Sequence, residues 1–245
     1  MNSLVVEGLA AGYGAVTVLH DVSIKVCEGE FIALLGTNGN GKSTLLNTIL
    51  GFTKPTDGRV RLEWDGNSVD LTGLPPYQVV QEGIALVPEG RRLVPNLTVE
   101  ETLLLAGSGP RAKKSLRSNL EFCFSTFQIL RERRNQLAST MSGGQQQLLA
   151  IARALMTSPR VIIIDEPSVG LAPIVVGQVF EAIRTLQATR GLTVLMAEQS
   201  FFQAIDIASR AYILAHGRII RSIENSHDLR DHDEIRRAMM GVVAA

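Results

Sequence analysis

Residues 36 to 44 read Gly-Thr-Asn-Gly-Asn-Gly-Lys-Ser-Thr and follow directly on the apolar run Phe31-Ile32-Ala33-Leu34-Leu35. Gly36, Gly39 and Gly41 let the backbone curl so that successive N–H groups point inward at an anion, where a Cβ would obstruct. Lys42 adds a point positive charge suited to outer phosphates, and the Ser43 hydroxyl is a hard oxygen ligand for Mg²⁺. A helix starting near Lys42 turns its positive dipole end on the same anion. The spacing G-x-x-x-x-G-K-[ST], after a buried strand and before a helix, is that of a phosphate-binding loop, or P-loop. Thr37, Asn38, Asn40 and Thr44 complete the stretch that would surround the nucleotide phosphates.

Two further groups could serve the same chemistry. Asp165 and Glu166 follow the β-branched run Val161-Ile162-Ile163-Ile164. An acid at a buried strand end in a P-loop protein holds Mg²⁺, usually through water. Its neighbour Glu166 is then placed to orient or deprotonate a water attacking the γ-phosphate of ATP. Ser142-Gly143-Gly144-Gln145 is another glycine-rich helix start able to bind an anion. One nucleotide has a single terminal phosphate, whereas this chain offers two phosphate-grasping helix ends. The economical resolution is that the second serves ATP bound on another subunit.

The elements that must position these groups are legible from period and punctuation. Leu4 to Leu9 and Val22 to Val26 read as short strands. Arg59 to Gly66 alternates with period 2 and ends in Asp-Gly, a half-exposed strand entering a turn. Val161 to Ile164 and Thr193 to Ala197 are continuous apolar runs, expected of strands covered on both faces. Tyr212 to Ala215 and Arg218 to Ile220 flank His216-Gly217, a tight hairpin. Thr98-x-x-Glu101 and Ser142-x-x-Gln145 are capping-box patterns. Pro173 suits the first turn of a helix reaching about Thr189 and stopping before Gly191, and Pro159 follows the helix begun at Ser142. Residues 88–158 contain no convincing strand and read as a helical subdomain inserted into an α/β core made of 1–87 and 159–245.

Composition bounds the class. The chain has 245 residues, 45% hydrophobic and 20% charged, with 24 basic against 24 acidic side chains. That fits one large α/β domain with a filled core. The balanced charge gives no basic excess of the kind a nucleic-acid partner calls for. The clusters Arg111 to Lys114 and Arg131 to Arg134 read as solvated faces or loops. Cys27 and Cys123 are too few for a disulfide framework or a thiolate metal site and read as small buried hydrophobes in a reducing compartment. Met1-Asn2-Ser3 lacks a signal-peptide pattern, and no apolar stretch reaches the roughly 18 residues that span a bilayer. Any membrane role is therefore expected through a partner. Residues 225–245 read as a charged helix with a small-residue end.

The ordered set of P-loop, Met141-Ser142-Gly143-Gly144-Gln145-Gln146-Gln147 and Ile164-Asp165-Glu166-Pro167 resembles the ATP-binding subunit of an ABC (ATP-binding cassette) transporter along nearly the whole chain. The resemblance implies a RecA-like P-loop NTPase core, an antiparallel β subdomain and a helical subdomain. It implies two subunits closing head to tail around two ATP, each P-loop facing the partner's Ser-Gly-Gly. Val87-Pro88-Glu89-Gly90-Arg91-Arg92, Asn96 to Glu101, Glu166 to Pro173 and Ala197-Glu198-Gln199-Ser200 further resemble the LivF-type subunit of branched-chain amino acid importers. Importers of urea or short amides use similar subunits. The implied partners are a second ATP-binding subunit, in a heterodimer or a homodimer, permease subunits and, indirectly, a solute-binding protein. The implied location is the cytoplasmic face of the inner or plasma membrane.

Carried over by resemblance, Tyr13 in Gly12-Tyr13-Gly14 stacks on the adenine, as an aromatic face can. Glu89 stands after the Val-Pro strand end, where most relatives place a Gln that contacts Mg²⁺ or the attacking water. A carboxylate there adds negative charge near the γ-phosphate, so Glu89 is expected more at the partner interface than on the metal. Gln199 stands where the family has a switch histidine. It can donate a hydrogen bond to the γ-phosphate but cannot become a cation. Ala172 replaces an Asp common in relatives, and Asn40 and Met141 are departures expected to be harmless. Catalysis would thus fall to Glu166, Lys42 and Gln199. An ATP-gated binding module with weak hydrolysis is the alternative that Gln199 keeps open. A DNA- or ribosome-directed cassette is disfavoured, since neither a coiled-coil insertion nor a second cassette is present.

Overall fold

The computed structural model describes residues 1–224; the helix expected in the tail, with His227 and His232, lies outside the described residues. In chain order, β1 (Ser3–Tyr13) and β2 (Val16–Cys27) form an antiparallel pair. Val22, Ile24 and Val26 of β2 are buried while Asp21, Ser23 and Lys25 are exposed, the period of a half-buried strand. Next come β3 (Phe31–Leu35) and α1 (Lys42–Ile49). Then β4 (Pro55–Trp64) returns antiparallel on the other edge of β1, and β5 (Asn67–Asp70) follows through Asp65-Gly66. Both turn residues have positive φ, 53° and 77°, the geometry that matches the twist of a two-residue hairpin. The resulting four-stranded antiparallel sheet runs β2-β1-β4-β5.

Helix α2 (Pro76–Gln81) leads to β6 (Ile84–Val87). Four helices follow: α3 (Val99–Gly107), α4 (Leu116–Thr126), α5 (Gln128–Glu132) and α6 (Gly143–Leu155). The described β-pairing within that stretch is the bridge of Thr98 to Leu137. Both expected capping boxes form, at Thr98–Glu101 and Ser142–Gln145. The chain then makes β7 (Val161–Asp165), α7 (Pro173–Arg190, stopped by Gly191 at φ +57°) and β8 (Thr193–Glu198). It ends with α8 (Phe201–Ile205), β9 (Arg210–Ala215) and β10 (Arg218–Ile223). These strands form a six-stranded sheet, β10-β9-β3-β8-β7-β6, parallel except for β10.

The apolar runs are explained by what covers this second sheet. Phe31, Ala33, Leu35, Ile162 and Ile164 face a core shared with α3, α4, α6 and α7. Ile32, Leu34, Val161 and Ile163 face the other core, shared with α1 and the antiparallel sheet. Burial on both faces removes any reason for alternation. Each fully buried Leu or Ile contributes about 1.5–3 kcal/mol, so the strands are a stiff floor. The loops at their carboxyl ends carry the chemistry, as in open α/β sheets generally.

One composition reading needs correction. Cys27 is half-buried at the end of β2, and only Cys123 is fully buried. Arg111 is exposed, as expected of a loop, and its Nε donates to the Ser158 carbonyl at 2.9 Å beside Gly83.

Candidate functional site

The loop between β3 and α1 is shaped by glycine where the backbone requires it. Gly41 precedes α1 at φ +100°, and a Cβ there would meet Leu19 at 2.9 Å. A Cβ on Gly36 would lie 2.5 Å from the Leu214 carbonyl. The Asn40 side-chain oxygen accepts from the His216 backbone N–H at 2.9 Å, and its backbone carbonyl accepts from Gly217 N–H at 3.2 Å. Its amide donates to the Thr37 hydroxyl at 2.6 Å. Asn40 is therefore the anchor of the loop to the β9–β10 hairpin rather than a neutral departure.

Lys42 is buried, with its side chain 3% exposed. Its ammonium donates to the carbonyls of Gly36 (2.9 Å) and Thr37 (3.3 Å) and pairs with Glu166 Oε1 at 3.0 Å. Glu166 sits just past β7 at φ +43°, its N–H donating to Ala197 O at 2.9 Å. A cleft of about 430 Å³ opens here, lined by Val18, Asn38, Gly39, Gly41, Lys42, Ser43, Thr44, Glu89 and Glu166.

Asp165, the last residue of β7, has its Oδ1 buried without a partner. Burial first, then the charges of Glu166 and Glu89, push its pKa up to about 6, against hydrogen bonding from Ser43 and the charge of Lys42. Asp165 thus feels two like charges, of Glu166 and Glu89, against the one opposite charge of Lys42. A hydroxyl and a carboxylate oxygen in a region of surplus negative charge fit a hard divalent cation. Among the described residues no group of three or more His, Cys, Asp or Glu gathers as a metal cage.

Several expected residues stand apart from the cleft lining. Tyr13, at the end of β1, is 55% exposed. Hydrogen bonding with Thr53 foremost, and also with Thr44 and Asn47, lowers its phenol pKa against the effect of burial. It is thus beside α1, while the apolar residue in the cleft lining is Val18, which went unread in the sequence. Its signal was faint: one apolar position near the start of β2, now packed on Gly41. Gln199 follows β8 and is exposed.

The second glycine-rich helix start is a separate place. Ser142 caps α6, its Oγ accepting from Gln145 N–H at 3.4 Å while Gln145 Oε1 accepts from Ser142 N–H at 3.1 Å. Gly143 lies against Leu171 and the Arg91 guanidinium, and Gly144 against Val175. None of Ser142, Gly143, Gly144 and Gln145 lines the P-loop cleft.

Known proteins resemble this chain in sequence and in fold. The family model for ABC transporters matches residues 19–169. The high-affinity branched-chain amino acid transport ATP-binding protein BraG of Pseudomonas aeruginosa is 43% identical over 229 residues, covering 94% of this chain and 95% of that protein. The solved ADP conformation of MJ1267, an ATP-binding cassette of an ABC transporter, has a TM-score of 0.81 at 29% identity, covering 98% of each chain. The dimeric structure of MJ0796, a bacterial ABC transporter cassette, has a TM-score of 0.75 at 26% identity, covering 90% of this chain and 98% of that one. With its cleft, its sheet order and these matches in agreement, the chain belongs to the ABC transporter family, as one of its ATP-binding cassettes.

Proposed function

We propose that this chain hydrolyses ATP to power an importer of branched-chain amino acids. The observation that carries the chemistry is the buried Lys42–Glu166 pair beside Asp165 in the P-loop cleft. The likeness to BraG supports the cargo. Lys42 and the loop N–H groups bind the β- and γ-phosphates, and Lys42 exchanges its contact with Glu166 for phosphate oxygen. Glu166, released from that pair, takes a proton from water as the water oxygen attacks the γ-phosphorus and the bond to the ADP oxygen breaks. Ser43 and Asp165 would hold Mg²⁺, which supplies neutralising charge to the phosphates. Glu89 stands at the cleft wall, Gln199 offers a neutral hydrogen bond to the γ-phosphate, and Tyr13 offers a ring to the adenine. Most of the acceleration comes from positioning and charge stabilisation.

Ser142 to Gln145 serve the nucleotide of a second ATP-binding subunit. Their separation from the cleft supports this reading, as does the existence of a dimeric relative, MJ0796. ATP binding closes the pair and hydrolysis reopens it. The segment from Glu89 to Thr102 passes that motion to permease subunits, which a solute-binding protein supplies with cargo. The chain then works at the cytoplasmic face of the membrane, held by those permeases. No helix among the described residues is long and apolar enough to cross a bilayer itself.

The test is leucine uptake by vesicles containing the permeases, both ATP-binding subunits and internal ATP, with the solute-binding protein supplied outside. Lys42→Ala should abolish uptake and ATP turnover together. Uptake that survives this substitution would refute the assignment.

A further inference from the structure

Glu198 closes β8 and is completely buried, with 0% of its surface exposed. Its carboxylate does not sit idle. Oε1 accepts from the Ser168 N–H at 3.1 Å, and Oε2 accepts from the N–H groups of Gln199 (3.0 Å) and Ser200 (3.1 Å). Among the described residues no cation pairs with it. A carboxylate taken wholly out of water must find its partners in the protein, and here they are three backbone N–H groups. The three donors come from two different loops, separated by some thirty residues of chain.

Those two loops are the ones that flank the chemistry. Ser168 lies two residues past Glu166, and a turn there is fixed by Val169 N–H to Glu166 O (3.2 Å) and Leu171 N–H to Ser168 O (3.2 Å). Leu171 in turn packs on Gly143 at the start of α6. The other loop begins with Gln199. One carboxylate therefore joins the segment after the water-activating glutamate to the segment that presents Gln199. A second rung, Glu166 N–H to Ala197 O, lies immediately beside it.

We propose that Glu198 is a positioning residue for hydrolysis, holding the Ser168 and Gln199 loops in one register so that neither shifts without the other. The proposal rests on Glu166 acting as the base, as set out above. A neutral amide at 198 would place N–H against N–H on one side and release one loop. Because the ammonium and glycines of the P-loop are untouched, nucleotide binding should persist while turnover suffers.

The test compares Glu198→Gln and Glu166→Gln in the full chain. Glu198→Gln is expected to lower kcat for ATP about tenfold or more, with KM changed by less than about twofold, the signature of an interaction needed only for the chemical step. Amide hydrogen exchange at Ser168 should quicken while Val161 to Ile164 stay protected. Wild-type kcat in Glu198→Gln, with turnover lost in Glu166→Gln, would overturn this inference alone. Turnover intact in Glu166→Gln would instead overturn the assignment of the base. Loss of kcat and KM in step with a lowered melting temperature would reduce Glu198 to a packing role and also overturn the inference. If Glu198→Gln does not fold, Glu198→Asp keeps the charge but withdraws it by one methylene. The same split of kcat from KM is expected there, and wild-type kinetics would overturn the inference equally.

Discussion

An ammonium has three protons to give, and Lys42 gives them to the Gly36 carbonyl, the Thr37 carbonyl and Glu166. An arriving phosphate can displace only the last of these without unmaking the loop. In the mechanism proposed above, phosphate binding and the release of Glu166 are therefore one event. Asp165 has the opposite problem, a buried carboxylate oxygen with no donor and two acidic neighbours. Leaving such a group unsatisfied costs about 1–3 kcal/mol. Asp165→Asn should thus raise the melting temperature measured without nucleotide or metal, at roughly 2–4 °C per kcal/mol for a chain of this size. It should at the same time abolish Mg²⁺-dependent ATPase activity. A melting point that falls would mean that Asp165 is satisfied by something other than metal. At this scale the sequence was most legible where residue types are irreplaceable. Gly41, Lys42 and Asp165 announce themselves by type and spacing, whereas Val18 enters the cleft through a β-strand fold-back that no local pattern marks. Glu198 was visible only as part of a resemblance, because its significance lies in two loops that meet only in three dimensions.

Strand runs covered on both faces, such as β3 and β7, were readable because nothing interrupts their apolar character. β5 was missed: Asn67-Ser68-Val69-Asp70 is a short edge strand with one apolar residue and little burial. β6 is four residues long and owes its place to its pairing with β7, a long-range fact. Helix starts fared better, because a cap is a local bargain between neighbours. In the Thr98 box, Thr98 Oγ1 accepts from Glu101 N–H at 3.2 Å while Glu101 Oε2 accepts from Thr98 N–H at 2.8 Å. Thr98→Ala should cost about 1 kcal/mol of stability by denaturant unfolding through the lost cap, and Thr98 is not among the residues lining the cleft. Its ATPase rate per folded molecule should remain wild-type. An unchanged unfolding midpoint would show that α3 does not depend on its cap.

For the molecule as a whole, Gln199 sets the expectation. A neutral amide stabilises developing phosphate charge less than an imidazolium does. The purified chain alone should show a low ATPase rate per site, rising about tenfold or more beside a paralogous subunit that carries histidine at the matching position. Gln199→His should raise the rate of the chain alone. Equal rates per site in both preparations would remove the idea of unequal sites. The architecture was legible from the order of motifs. The separation of α6's start from the P-loop cleft was inferred only from economy of sites, and needed coordinates to become a matter of geometry.

The grip of the β9–β10 hairpin on Asn40, and of Leu214 on Gly36, ties residues near the beginning of the chain to residues near its end. β3 itself is flanked by β8 and β9, both synthesised late. Contacts so distant in sequence form only after the intervening chain has been ordered. The lysine and its glycines are therefore made well before the residues that brace their loop. A chain that stops before residue 217 lacks these contacts to Gly36 and Asn40, and is expected to hold a triphosphate more weakly than the full chain.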